Sequence, residues 1–224
     1  MIYNIGMRNI KIAPGEYYHI FNRGMSKQLI FHGNVDWVRF LFLILYFQSP
    51  TIFQNLGRPA KEFVKHSVFN IDEKEVIQKR YVELVAFCLM PNHFHLIVKE
   101  IVEGGTAKYM QRVLNSYTKY INIKYKKSGH LFQGPYKAVH VKNNRQLLYL
   151  SAYIHRNARE LKAWFGKEIK YPWSSYQDFV VKNRFNGLLV PDIITGQFKK
   201  GEYHDFVKNS AAKISKEELE WLPE

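Results

Sequence analysis

The sequence predicts an α+β protein, a split βαβ arrangement in which a mostly antiparallel sheet is covered by helices on one face. Three observations lead there. Short runs rich in β-branched and aromatic residues (16–23, 81–90, 93–99, 136–141) alternate with longer segments whose apolar residues recur every three or four positions. The resulting order is strand, helix, strand, strand, helix, strand, helix. The second and third strands are separated only by the turn dipeptide Pro91-Asn92, so they pair as a hairpin. Finally, 224 residues at 46% apolar content suffice for one sizeable core with extensions.

In chain order, Glu16 to Arg23 reads as a strand closed by Gly24. Asn34-Val35-Asp36 offers caps for a helix through about Phe47; its apolar run from Trp37 is interrupted by Arg39 and reads as a buried helix. Residues 48–79 hold Pro50, Gly57, Pro59 and several charges, so they form a connection or insertion with room for a short helix. The hairpin follows, and Gly104-Gly105 punctuates before a helix from Thr106 to about Tyr125. There Met110, Val113, Leu114, Tyr117 and Ile121 mark the packed face. A basic loop, Lys126 to His130, leads to a strand at 136–141. Asn143-Asn144 then caps a third helix with the stripe Leu147, Leu150, Ile154, Ala158 and Leu161. A terminal helix is expected from Ser215. One principal domain spans 1–176, with the insertion at about 48–79, and 177–224 form a C-terminal extension.

Composition excludes several classes. Cys88 is the sole cysteine, which rules out an internal disulfide framework and a thiolate-rich zinc site. No apolar run approaches the roughly 18 residues of a membrane span, and the N-terminus lacks a secretory pattern, so a cytoplasmic protein without membrane contact is expected. Lys and Arg total 33 against 19 acids, a formal charge of +14. That balance favours a polyanionic partner, because each neutralised phosphate releases condensed counterions.

The chemistry centres on His93-Phe94-His95. In a strand, His93 and His95 project from one face while Phe94, Leu96 and Val98 take the other. Two adjacent imidazoles in a half-buried sheet are costly unless satisfied. They are either hydrogen-bonded structural residues or ligands of a divalent ion completed by a third donor. The third helix carries Tyr153 and Asn157, four residues apart and beside the apolar stripe. If that side faces the histidines, Asn157 adds an oxygen ligand and Tyr153 a nucleophile. A phenol with pKa near 10 is a poor nucleophile at neutral pH; a metal-held phosphodiester compensates by placing phosphorus in line for attack.

Together, His-hydrophobe-His after Pro91-Asn92, the stretch from Gly129 to Gly134, Tyr153-Ile154-His155-Arg156-Asn157 and Trp173-Ser174-Ser175-Tyr176 resemble the REP-associated tyrosine transposases, within the single-tyrosine HUH transposases of insertion sequences. The resemblance covers roughly Tyr17 to Tyr176. It implies a ferredoxin-like core and a metal-dependent endonuclease and strand transferase that nicks single-stranded DNA at hairpins. It also implies a 5′-phosphotyrosine intermediate and a requirement for Mg²⁺ or Mn²⁺. By position, His93, His95 and Asn157 are the metal ligands and Tyr153 the nucleophile. Relatives commonly have Asn-Pro where this chain has Asn157-Ala158, so the helix is expected to run further here. The chain is expected to be a monomer or a homodimer, and in dimeric relatives the partner's tyrosine helix completes the site.

Other residues have assigned expectations. Asn22, Arg23, Lys119, Lys124, Lys126, Lys127 and Lys137 are candidate nucleic-acid contacts, each weighed against an ordinary solvated or structural role. Tyr117, Tyr120 and Tyr125 are weaker nucleophiles: Tyr117 lies on the core stripe, and the others have no amide or carboxylate four residues on. His155 sits about 200° around the helix from Tyr153 and is structural or DNA-facing. Phe132 and Tyr136 stack bases or pack the core. The rival classes are a non-catalytic single-stranded nucleic-acid-binding module of RNA-recognition topology and a metal-dependent hydrolase of a small phosphorylated substrate.

Overall fold

A computed structural model describes residues 12–52 and 73–210. Most of the 48–79 insertion and the helix expected from Ser215 lie outside the described residues. Four strands, β1 (Tyr17–Arg23), β2 (Val82–Met90), β3 (His93–Glu100) and β4 (Lys137–His140), form one sheet in the order β2-β3-β1-β4. All neighbouring strands are antiparallel. The helices are α1 (Asn34–Tyr46), α2 (Lys74–Gln78), α3 (Gly105–Tyr125), α4 (Asn144–Arg156), α5 (Tyr176–Val180), α6 (Asp192–Thr195) and α7 (Glu202–Asn209). The β1-α1-β2 crossover leaves a gap that β3 fills, which is the expected split βαβ core.

Strand alternation divides the apolar residues between two cores. On one face Ile20, Phe94 and Leu96 pack with Phe40, Leu41 and Ile44 of α1 and with Met110, Val113 and Tyr117 of α3. On the other, Ala86, Cys88 and Ile97 pack with Leu147, Leu150 and Ile154 of α4 and with Tyr176, Phe179 and Tyr203 of the C-terminal elements. The one-faced cover expected from the sequence therefore applies to α1 and α3. Helix α4 crosses the opposite face, the one that carries His93 and His95.

The Trp173-Ser174-Ser175 segment protects the exposed edge of β2. Leu89 N–H donates to the Trp173 carbonyl at 2.8 Å, and Ser175 N–H to the Phe87 carbonyl at 2.9 Å, satisfying an edge otherwise open to pairing. Asn143 caps α4 as expected, its side chain accepting from Gln146 N–H. The far end differs from expectation. Helix α4 stops at Arg156 and gives way to a 3₁₀ turn over Asn157–Glu160. Proline is not needed for this break: the Asn157 side-chain amide donates to the Tyr153 carbonyl at 2.9 Å, and Ala158 is fully buried, so packing turns the chain.

Candidate metal centre and nucleophile

The end of β3 presents His93 and His95 on the α4 side. His95 is 1% exposed and His93 half-buried, with ring centroids 5.1 Å apart and planes nearly perpendicular. Their neighbours are fixed by register: His95 lies opposite Phe21 on one side and Cys88 on the other, and His93 opposite Arg23 and Met90. Helix α4 lays the ring of Tyr153 edge-on against His95, with centroids 5.5 Å apart, and against His19 at 6.4 Å.

A residue that the sequence reading did not select organises the pair. His19 of β1 is fully buried, and its Nε2 shares a 2.9 Å hydrogen bond with Nδ1 of His95. This occupies one ring nitrogen and leaves His95 Nε2 buried without a partner. His93 Nδ1 is likewise engaged, by the Asn92 side-chain oxygen at 2.7 Å. Burial holds both rings neutral. It pushes the pKa of His93 down to about 4, a fall opposed by the nearby Asn157 side chain and assisted by the positive charge of Arg23. His95 is pushed well down by its burial, then by the neighbouring His19 and His93. Neutral imidazoles are the form that ligates metal.

Asn157 is 3% exposed; its amide nitrogen is used on the Tyr153 carbonyl, and its Oδ1 is buried without a partner. Two buried polar atoms without a hydrogen-bond partner, His95 Nε2 and Asn157 Oδ1, thus flank a half-buried imidazole; in the tautomer where His95 Nδ1–H donates to His19, both are acceptors, an arrangement that a cation would satisfy. Among the described residues no three His, Cys, Asp or Glu side chains cluster for metal binding, so any such site depends on the amide oxygen.

The remaining candidates separate into two groups. Arg23 and Lys137 lie on the site face, since Arg23 pairs with His93 and Lys137 with Phe21 in register. Lys119, Lys124, Lys126 and Lys127 belong to α3 or its C-terminal end, over the other face. Lys124 is committed to an ion pair: its Nζ lies 2.5 Å from the fully buried Asp36. Burial works against its charge, but the hydrogen bonds to Asp36, Tyr120 and Tyr125 prevail and raise its pKa. Asn22 is spent internally, donating to the Gly134 carbonyl and accepting from Arg23 N–H. Phe132 and Tyr136 pack the core. A groove of about 940 Å³ runs along α3, lined by Leu114, Ile123, Phe132 and Lys119, but the orphaned acceptors lie elsewhere.

His155 is structural. Fully buried, it bonds Ser175 Oγ through Nε2 at 2.9 Å and the Tyr203 hydroxyl through Nδ1 at 2.7 Å, and burial lowers its pKa to about 3. Ser175 Oγ also accepts from Phe87 N–H of β2. This chain of bonds ties α4, and with it Tyr153, to the sheet and to α7.

Comparison with known proteins bears on the family and the fold. Residues 61–157 match the family described as "Transposase IS200 like". The matched segment is less than half of the chain, but it holds His93-Phe94-His95 and the Tyr153 to Asn157 motif, so it agrees with the resemblance drawn from those motifs. Among solved structures, one titled "Structure of the REP associates tyrosine transposase bound to a REP hairpin" aligns with a TM-score of 0.53 and 14% identity, over 93% of this chain and 96% of that one. At that identity the likeness is one of fold. No curated protein matches. Among the described residues no helix is long and apolar enough to cross a membrane.

Proposed function

We propose that this protein cleaves and rejoins single-stranded DNA at hairpin sequences, with Tyr153 as nucleophile and a divalent ion held by His93, His95 and Asn157. The observation that carries the reading is the seating of the Tyr153 ring on His95, beside two buried acceptors that lack a hydrogen-bond partner. In the step envisaged, a bond forms between Tyr153 Oη and phosphorus as the P–O3′ bond breaks. The phenolic proton passes to solvent and the departing 3′ oxygen takes one up, leaving a 5′-phosphotyrosine. A bound ion would supply Lewis-acid polarisation of the phosphoryl oxygens. The chain's own groups do the rest: α4 aims the phenol, His19 turns His95 so that Nε2 faces the site, and the cover of α4 restricts water. A donor set of two imidazoles and one amide oxygen is mixed in hardness, which favours Mn²⁺ over Mg²⁺.

The hairpin substrate is carried over from the structural neighbour, whose title names a REP hairpin; the +14 charge supports a nucleic-acid partner. Both sheet faces are covered by helices, which argues against a module that stacks bases on an open sheet. The test is incubation with labelled oligonucleotide and Mn²⁺ or Mg²⁺, followed by SDS. An SDS-resistant adduct is expected from wild type and none from Tyr153→Phe. An undiminished adduct in that variant would remove the nucleophile assignment. His93→Ala/His95→Ala should abolish cleavage while retaining most charge-driven binding.

A further inference from the structure

We propose that Arg23 binds the scissile phosphate itself, gripping its non-bridging oxygens beside the divalent ion and neutralising the charge that develops on them. The inference rests on the proposed strand cleavage and assigns one more catalytic residue to it. Its basis is the chemistry of the buried polar atoms left without partners at this end of the sheet. Asn157 Oδ1 is an acceptor, as is His95 Nε2 in the tautomer where Nδ1–H donates to His19, whereas Arg23 Nε and Nη1 are donors. A cation satisfies the first two and repels the guanidinium, whose donors call for an acceptor and whose charge favours an anionic one. One ligand meets both demands if its negative oxygens lie between metal and guanidinium, as those of a phosphodiester do.

Placement agrees. Arg23 pairs with His93 across β1 and β3, so the two side chains leave the same face, with Cα atoms roughly 4.5–5.5 Å apart as in any antiparallel pair. Its charge is felt by the His93 imidazole. The backbone beneath it is held on both sides: Arg23 N–H donates to Asn22 Oδ1 at 2.8 Å, its carbonyl accepts from Gln133 N–H at 2.9 Å, and Gly24 N–H donates to the Asn92 carbonyl at 2.8 Å. A guanidinium carried on a backbone fixed in this way, and already partly desolvated by burial, loses little on meeting a phosphate.

The experiment compares Arg23→Ala and Arg23→Lys with wild type on two oligonucleotides, one natural and one bearing a neutral methylphosphonate at the scissile position. On the natural strand, Arg23→Ala should slow adduct formation by about 10²–10³-fold, the usual loss for one oriented donor to a developing oxyanion. On the methylphosphonate the ratio of wild type to variant should collapse to below about tenfold, because the charge that Arg23 serves is gone. Arg23→Lys, which keeps charge but loses the fork, should fall between, and it carries the test if the alanine variant misfolds. A second readout needs neither metal nor turnover. In EDTA and a Tyr153→Phe background, the methylphosphonate should weaken binding about tenfold when Arg23 is present and not at all in Arg23→Ala. Equal ratios on the two strands, with a robust wild-type adduct, would overturn the role of Arg23 alone. Absence of any wild-type adduct on the natural strand would overturn strand cleavage and this assignment with it.

Discussion

Tyr203→Phe isolates the bond that fastens the tyrosine helix. The Tyr203 hydroxyl lies 2.7 Å from His155 Nδ1 and 3.0 Å from Ser151 Oγ, and the three residues are 3%, 0% and 0% exposed. Phenylalanine fills the same volume, so no cavity opens and the loss is confined to hydrogen bonding. It leaves a buried imidazole nitrogen unpaired, which costs about 1–3 kcal/mol. For a chain of this size each kcal/mol shifts Tm by roughly 2–4 °C, so Tm should fall by about 2–12 °C. Urea unfolding should give that loss at unchanged m. Because the same network passes through His155 to Ser175 and β2, the effect should be non-additive with Ser175→Ala. A loss below about 0.5 kcal/mol, the level of an ordinary surface change, would refute the buried network.

Other consequences follow from the same geometry. His155 is neutral when folded, with a pKa of about 3 against an ordinary 6.5. Below pH 6.5 the unfolded chain therefore binds a proton that the folded chain refuses, and stability is lost as pH falls from 6.5 toward 3. Between pH 7 and 5 urea titrations should show a loss of about 2 kcal/mol from this group, with His93 acting in the same direction; stability rising on acidification would contradict it. His19→Phe should lower Mn²⁺ affinity about 10–100-fold by calorimetry without DNA, since the group orienting His95 is lost; unchanged affinity would make the His19–His95 bond irrelevant to the ion. At Gly24 an added Cβ would collide with the Gln28 carbonyl oxygen, so Gly24→Ala should cost about 1–3 kcal/mol in thermal unfolding by displacing the end of β1; a neutral substitution would show that the turn yields.

Much of this was legible locally. Alternation in 93–99 put both histidines on one face, and the 3.6-residue period located α3 and α4, because each pattern depends only on a side chain's own element. What escaped depends on pairing across the chain. The residues Tyr17, His19, Phe21 and Arg23 share the two-residue period, but His19 reaches His95 only because β1 pairs with β3 in the observed register. Periodicity showed which side of α4 is apolar, not which sheet face receives it. Likewise Lys124 read as a phosphate contact because Asp36, 88 positions away, is invisible to a local count of charge. The break after Arg156 comes from the Asn157 side chain and the burial of Ala158, not from a proline signal.

In the proposed centre, His93, His95 and Asn157 hold a divalent ion beside the Tyr153 hydroxyl. Crystals soaked in Mn²⁺ and measured for anomalous scattering test it most directly. A single strong peak is expected, bonded to His95 Nε2, a His93 ring nitrogen and Asn157 Oδ1, with the Tyr153 hydroxyl facing it. A peak elsewhere, or none at saturating Mn²⁺, would contradict the account.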